Sequence, residues 1–368
     1  MTHPPPAQSP ARTIATIALL VGCLGAFSTT LAACASAPRA REEWGAVRME
    51  VDPEGELPPR FWDSVELMQK AAAAFNEKKY NEALELYLTL IDKFPDERSF
   101  PLALFNAALC YEELDRFEEA LGLYARLEAM PGPTYAPSVL LGRKAACHEE
   151  MKSWAEAEAD LVKMTQLFSI SEIERINALA RLGVVRYEMG RYEEAKATLI
   201  EALEERYRRG GLQRLAVDTT YIAKGWFHLG QIYLMQYERI ELVGDESELK
   251  QRLLAKADLL VRARVYFYRS IETYQLWWMS ASLHQLGWGY ETFYDAVMNA
   301  PLPSDLLPGE RDVYVRKLES RVSTVIKKAE EAYSKNVDLD RRYNLQSPWA
   351  KKSADRLEAL HAARARKP

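Results

Sequence analysis

The sequence has little of what most protein chemistry requires. Its 368 residues include only four cysteines, Cys23, Cys34, Cys110 and Cys147, which excludes a disulfide framework. The five histidines, His3, His148, His228, His284 and His361, are scattered, and none joins a metal-ligand motif, so no metal and no cofactor is expected. Gly210-Gly211 follows no strand and lacks a GKS/T signature, which excludes a phosphate loop. No Lys/Arg cluster is interleaved with aromatics, and the net charge is −5, so nucleic acid is excluded as a partner. Alternating period-2 segments are almost absent, which leaves an all-α class. No nucleophile, base and metal set recurs at catalytic spacing, so the chain is not expected to be an enzyme.

What is present begins at the N-terminus. Residues 1–12 are polar and proline-rich and end in Arg12, and residues 13–33, TIATIALLVGCLGAFSTTLAA, carry no charge. The polar stretch ASAPRAREEWG follows Cys34 directly. An uncharged apolar run ending in small residues has the pattern of a secretory signal, and at this length it also suffices for an uncleaved membrane-spanning helix. Leu31-Ala32-Ala33-Cys34 resembles the bacterial lipobox. The resemblance implies that residues 1–33 are a signal peptide and that Cys34 becomes a lipidated N-terminus. Leu20-Val21-Gly22-Cys23 fits the same pattern loosely, but cleavage there leaves LGAFSTTLAA at the new terminus. Ala35 stands where an Asp commonly retains such proteins at the inner membrane. The expectation is therefore a membrane-anchored lipoprotein facing the periplasm from the outer membrane of a Gram-negative envelope. Residues 34–60 hold Pro38, Pro53, Pro58 and Pro59 and read as a flexible tether reaching about 25–30 Å. Alternation at Val47, Met49 and Val51 leaves room for one short docking strand.

The rest of the chain repeats itself. KKYNEALELY (78–87), DRFEEALGLY (115–124), KSWAEAEADL (152–161) and GRYEEAKATL (190–199) each place an aromatic three residues before an alanine. Those alanines, Ala83, Ala120, Ala157 and Ala195, are 37, 37 and 38 residues apart. Another helical stretch with small residues precedes each: Ala71 and Ala74, Ala107 and Ala108, Ala145 and Ala146, then Gly183. Antiparallel helices approach closely only where small residues sit at the crossing. The pattern resembles the tetratricopeptide repeat (TPR), whose W-x2-L-G-x2-Y signature recurs as Trp226, Leu229, Gly230 and Tyr233, and in part as Leu286, Gly287 and Tyr290.

The resemblance, over residues 62 to 340, implies an α-solenoid of about six helix-turn-helix units. Units 1–4 (61–210) are regular. Units 5 and 6 (211–345) are irregular, with long insertions, and residues 346–368 form a capping helix and tail. Cys110 and Cys147 occupy equivalent places in consecutive repeats and read as buried thiols.

The resemblance further implies a groove lined by the first helix of each pair. Phe105, Glu112, Glu113, Glu149, Glu150, Tyr187 and Glu188 map onto it and would form an acidic strip beside apolar residues. Such a strip favours a basic, partly apolar partner segment; glutamates late in a helix also simply solvate its end. The aromatic stretch 266–278, with Trp277 and Trp278, reads either as an interface or as core packing. The implied function is a lipid-anchored scaffold binding other envelope proteins, in assembly of an outer-membrane, pilus/secretin or gliding-motility complex. The alternative is a periplasmic small-ligand or wall-binding protein or enzyme, with a pocket among the C-terminal insertions.

Overall fold

A computed structural model describes residues 47–50, 60–132, 135–208, 219–302 and 307–365. Among these, thirteen helices follow one two-stranded hairpin, so the expected all-α class holds apart from that hairpin. Strand β1 (Val47–Glu50) pairs antiparallel with β2 (Arg60–Asp63), Val47 opposite Asp63 and Glu50 opposite Arg60. Part of the stretch read as tether is therefore paired. Asp63 then ends the strand and starts the first helix, its carboxylate accepting from Val65 N at 2.8 Å and Glu66 N at 3.0 Å.

The helices come in antiparallel pairs. The described residues up to Ile170 form one compact unit. It holds α1 (Ser64–Asn76) with α2 (Tyr80–Lys93), α3 (Phe100–Glu113) with α4 (Phe117–Glu128), and α5 (Pro137–Glu150) with α6 (Trp154–Thr165). The residues from Ser171 form a second unit. It holds α7 (Glu172–Glu188) with α8 (Tyr192–Arg208), α9 (Thr220–Glu238) with α10 (Glu246–Ile271), and α11 (Leu276–Met298) with α12 (Pro308–Tyr343). A last helix, α13 (Pro348–Ala365), packs on α11 and α12.

The repeat alanines explain the pairing, since Ala83, Ala120, Ala157 and Ala195 are fully buried. Their partners on the first helices, Ala71, Ala108 and Ala145, are fully buried too. In the second unit glycine takes that place. A Cβ on Gly230 would lie 2.7 Å from the Phe267 ring, and one on Gly287 would collide with Tyr333. The turn between paired helices needs one left-handed residue: Lys78 (φ 62°), Asp115 (57°), Lys152 (59°) and Gly190 (76°) occupy it in successive repeats.

Two features depart from the repeat reading. The compact units divide at 170/171 rather than at 210/211. The cause is that Ala180, Val184, Leu199 and Leu203 of the fourth pair share one core with Ile222 and Trp226 of the fifth. The insertions are also largely helical extensions: α10 has 26 residues and α12 has 36, against 12 to 14 in the first unit.

Candidate functional site

The acidic strip expected along the first helices does not form as such in the first unit. Glu112 is 5% exposed and faces inward. Its carboxylate accepts from the Tyr124 hydroxyl of α4 and pairs with the Arg143 guanidinium of α5 at 3.1 Å. Arg143 Nε lies 3.5 Å from the Tyr124 hydroxyl, closing a three-residue network across two repeats. Burial pushes the Glu112 carboxyl up, and Arg143 and the Tyr124 hydroxyl pull it back only in part. Glu113 and Glu149 are half-buried, and only Glu150 is exposed. Phe105 is likewise buried, stacked on Tyr135 with centroids 4.5 Å apart and edge-on to Tyr124 at 5.9 Å. It is a core residue rather than a partner contact. Cys110 and Cys147 are buried free thiols, and burial pushes the Cys110 thiol up to about 12.

The second unit repeats the network. Glu291 of α11, 3% exposed, accepts from the Tyr333 hydroxyl of α12 at 2.7 Å and from Arg356 Nε of α13 at 3.0 Å. Again the carboxylate sits on a first helix, the tyrosine on its paired helix and the arginine on the helix that follows. Sequence reading missed both networks, although one register signal was available. Glu112 and Glu291 each lie four residues after the small residue at the crossing, Ala108 and Gly287.

Helix α13 docks through Trp349, Leu357 and Leu360 on the core and through polar contacts beside them. Ser280 meets Ser347 at 2.7 Å, and Ser353 meets both His284 Nδ1 at 3.1 Å and Asn336 Nδ2 at 2.9 Å. Burial lowers the His284 imidazole to about 4, helped by Lys352 and Arg356. A cavity of about 450 Å³ opens at the α12–α13 turn, lined by Asp340, Ser347, Lys351 and neighbouring apolar residues. Buried Lys256 of α10 donates to the carbonyls of Tyr237 and Ile240 at 2.9 and 3.0 Å and so caps the C-terminal end of α9.

The aromatic stretch is mainly core. Phe267 fills the space beneath Gly230, Trp278 is 8% exposed, and Tyr266 stacks between Trp226 and Tyr233 at 5.7 and 5.5 Å. Signature residues Trp226, Leu229, Tyr233, Leu286 and Tyr290 are all buried. Trp277 is half-buried, while Tyr268 and Tyr274 are exposed.

One junction differs from the two networks. Where α9 follows the fourth pair, His228 lies 4.2 Å from the Tyr187 ring, with Trp278 at 5.9 Å, ring centroid to ring centroid. Its Nε2 is 3.9 Å from Glu188 Oε1, too far for a hydrogen bond. Neither ring nitrogen has a hydrogen-bond partner, although the residue is only 7% exposed. Burial holds the imidazole well below its usual range, with Lys224 adding to the effect. Tyr187 and Glu188 are half-buried. Among the described residues no group of three or more His, Cys, Asp or Glu side chains could hold a metal ion.

Residues 68–133 match the tetratricopeptide repeat family. Among solved structures, the chain is similar to the C-terminal part of a TPR repeat-containing protein from Cytophaga hutchinsonii (14% identity, 80% of this chain and 95% of that one, TM-score 0.42). It is also similar to a tetratricopeptide repeat protein from Parabacteroides merdae (14%, 79% and 98%, 0.39) and to the apo form of RapI (13%, 76% and 98%, 0.45). No curated protein matches the chain. The match to the tetratricopeptide repeat family spans the first two helix pairs, and antiparallel helix pairs continue beyond it to Tyr343.

Proposed function

We propose that the chain is a lipid-anchored scaffold that binds other cell-envelope proteins and does no covalent chemistry. One structural observation carries the binding reading. First helices α7, α9 and α11 pack side by side, and Tyr187, Glu188, Gln231, Met235, Trp288 and Thr292 along them are half-buried, while Val184, Phe227, Leu234 and His284 are buried. Three separate repeats thus contribute to one face on which a partner segment can lie. The envelope assignment rests on the Leu31-Ala32-Ala33-Cys34 pattern, which lies outside the described residues. Among the described residues no helix is long and apolar enough to cross a membrane. In this reading Cys34 carries the lipid, on the periplasmic side of the outer membrane. The assembled complex would be an outer-membrane, pilus/secretin or gliding-motility machine.

The test is photo-cross-linking in intact cells from Gln231, Met235 and Trp288 on that face. Reproducible cross-links to one envelope protein support the scaffold, and their absence at all three positions overturns it. The cavity at the α12–α13 turn favours a second reading, a small polar ligand held between Asp340 and Lys351. Native mass spectrometry finding a bound wall fragment would support that reading instead.

A further inference from the structure

Helix α12 begins with a length that the core does not hold. From Gly309 to Lys328 no side chain is buried, and the first buried residue is Ala329. The cause is an overhang. Gly287 of α11 meets Tyr333 of α12, so antiparallel pairing sets the end of α11 at Met298 opposite about residue 322. The part of α12 before that runs past its partner and keeps its outward face free. Charge distinguishes this face. Gly309 to Lys328 holds six cations, Arg311, Arg316, Lys317, Arg321, Lys327 and Lys328, against Glu310, Asp312 and Glu319. At about 100° per residue the last five cations fall in one exposed arc of about 140°, and no carboxylate falls in that arc between positions 313 and 328. Glu310 is engaged with Leu307 N at 3.0 Å, and Glu319 accepts from the Tyr294 hydroxyl at 3.4 Å. Elsewhere exposed cations pair along their own helix, as Lys70 does with Glu66, Arg262 with Asp258 and Lys335 with Glu331. Arg316, Lys317, Arg321 and Lys327 have no such pair among the described residues.

We propose that this face of α12 lies on the anionic headgroups of a phospholipid bilayer. The cations form a row about 18 Å long on one side of a single helix, which matches a plane of phosphates better than the shaped site of a folded protein. Val313 and Tyr314 are exposed at the N-terminal end of the row, and Leu307 is exposed just before it. They supply the apolar edge that an interfacial helix sinks among headgroups. The contact needs no acyl chain, so it goes beyond the lipid-anchored reading and does not depend on it. Salt releases a contact of this kind, so it supplements an anchor rather than replacing one.

The test sediments the full chain carrying Cys34→Ser, and so no acyl chains, with vesicles of phosphatidylcholine alone or mixed with phosphatidylglycerol. The apolar residues 13–33 partition into both kinds of vesicle, so the quantity read is the ratio of the two partition coefficients. Each cation at an anionic surface strengthens partition about fivefold. The ratio should stand well above unity at low salt and fall toward it as salt is added. Arg316→Glu, Lys317→Glu and Arg321→Glu together should lower it by up to about a hundredfold. Lys70→Glu, Lys79→Glu and Lys163→Glu together, the same change of charge at exposed positions of the first unit, should leave it within about twofold. A ratio of unity with the row intact, a ratio kept by the α12 triple variant, or an equal loss in the first-unit variant overturns the proposal. An acidic protein as the true occupant would give the first of these. The anchor reading fails on a different result, a Cys34→Ser chain processed as before in cells, so the two failures are told apart.

Discussion

A carboxylate near the end of a first helix can face water or the next repeat, and its register alone does not decide which. Glu112 faces the next repeat because Arg143 is there to meet it, and nothing at position 112 announces a residue 31 places on. That is why the burial of Glu112 was not legible in the sequence, whereas the fully buried Ala83, Ala120, Ala157 and Ala195 were legible from their spacing. Packing at a crossing is a local demand, but a buried ion pair is a demand on two distant residues. Breaking the pair should be severe: Arg143→Ala leaves Glu112 buried without its counter-charge and should cost about 3–5 kcal/mol in chemical denaturation. Replacing Glu112 and Arg143 together by leucines should cost much less, because no charge is then stranded. Backbone conformation offers a second test. Gly190→Ala places a side chain at φ 76° and should cost about 1 kcal/mol, while Lys152→Gly at φ 59° should leave stability unchanged or slightly raised.

At the scale of elements, the sequence showed that helices pair, but not where each ends. The inserted stretches lack the signature and so read as interruptions, yet the reciprocal Asp245–Glu248 box starts α10 and the Glu310 carboxylate, accepting from Leu307 N, starts α12. The hairpin of β1 and β2 was only hinted at by three alternating residues, too short a run to specify pairing. The charges of α13 suggested a cap, and the cap is held by hydrogen bonds that sequence spacing cannot show. Those bonds carry a pH dependence. His284 is neutral in the fold, with its imidazole lowered to about 4, while an unfolded histidine titrates near 6.5. The unfolded chain therefore binds the extra proton first, and stability present above about pH 6.5 is lost as pH falls toward 4, by up to about 3 kcal/mol. Lys352 and Arg356 of α13 face the same ring and oppose its protonation. Asp295 and Glu238, raised by burial, shift the dependence the other way, so the informative quantity is a difference. His284→Asn should flatten the loss between pH 6.5 and 4 relative to the unaltered chain, as read by denaturant midpoints at each pH.

For the whole molecule, the anchor and the repeats are separable claims. Cys34→Ser should release the protein from membranes while far-UV circular dichroism keeps its helical signal, because among the described residues the repeat cores begin at Trp62. A variant still pelleting with membranes and processed as before would remove the lipid from the picture. The hairpin precedes the repeats, and its register has a mechanical meaning. Val47 pairs with Asp63, so the chain enters and leaves the hairpin at the same end. Tension on the chain ahead of Val47, resisted by α1 behind Asp63, loads one residue pair at a time instead of all together. The hairpin therefore unzips under small force. Released from Val47 to Asp63, about 17 residues at roughly 3.3 Å each add about 55 Å of slack. The short sheet then behaves as a latch on stored chain length, closed at rest and paid out under load.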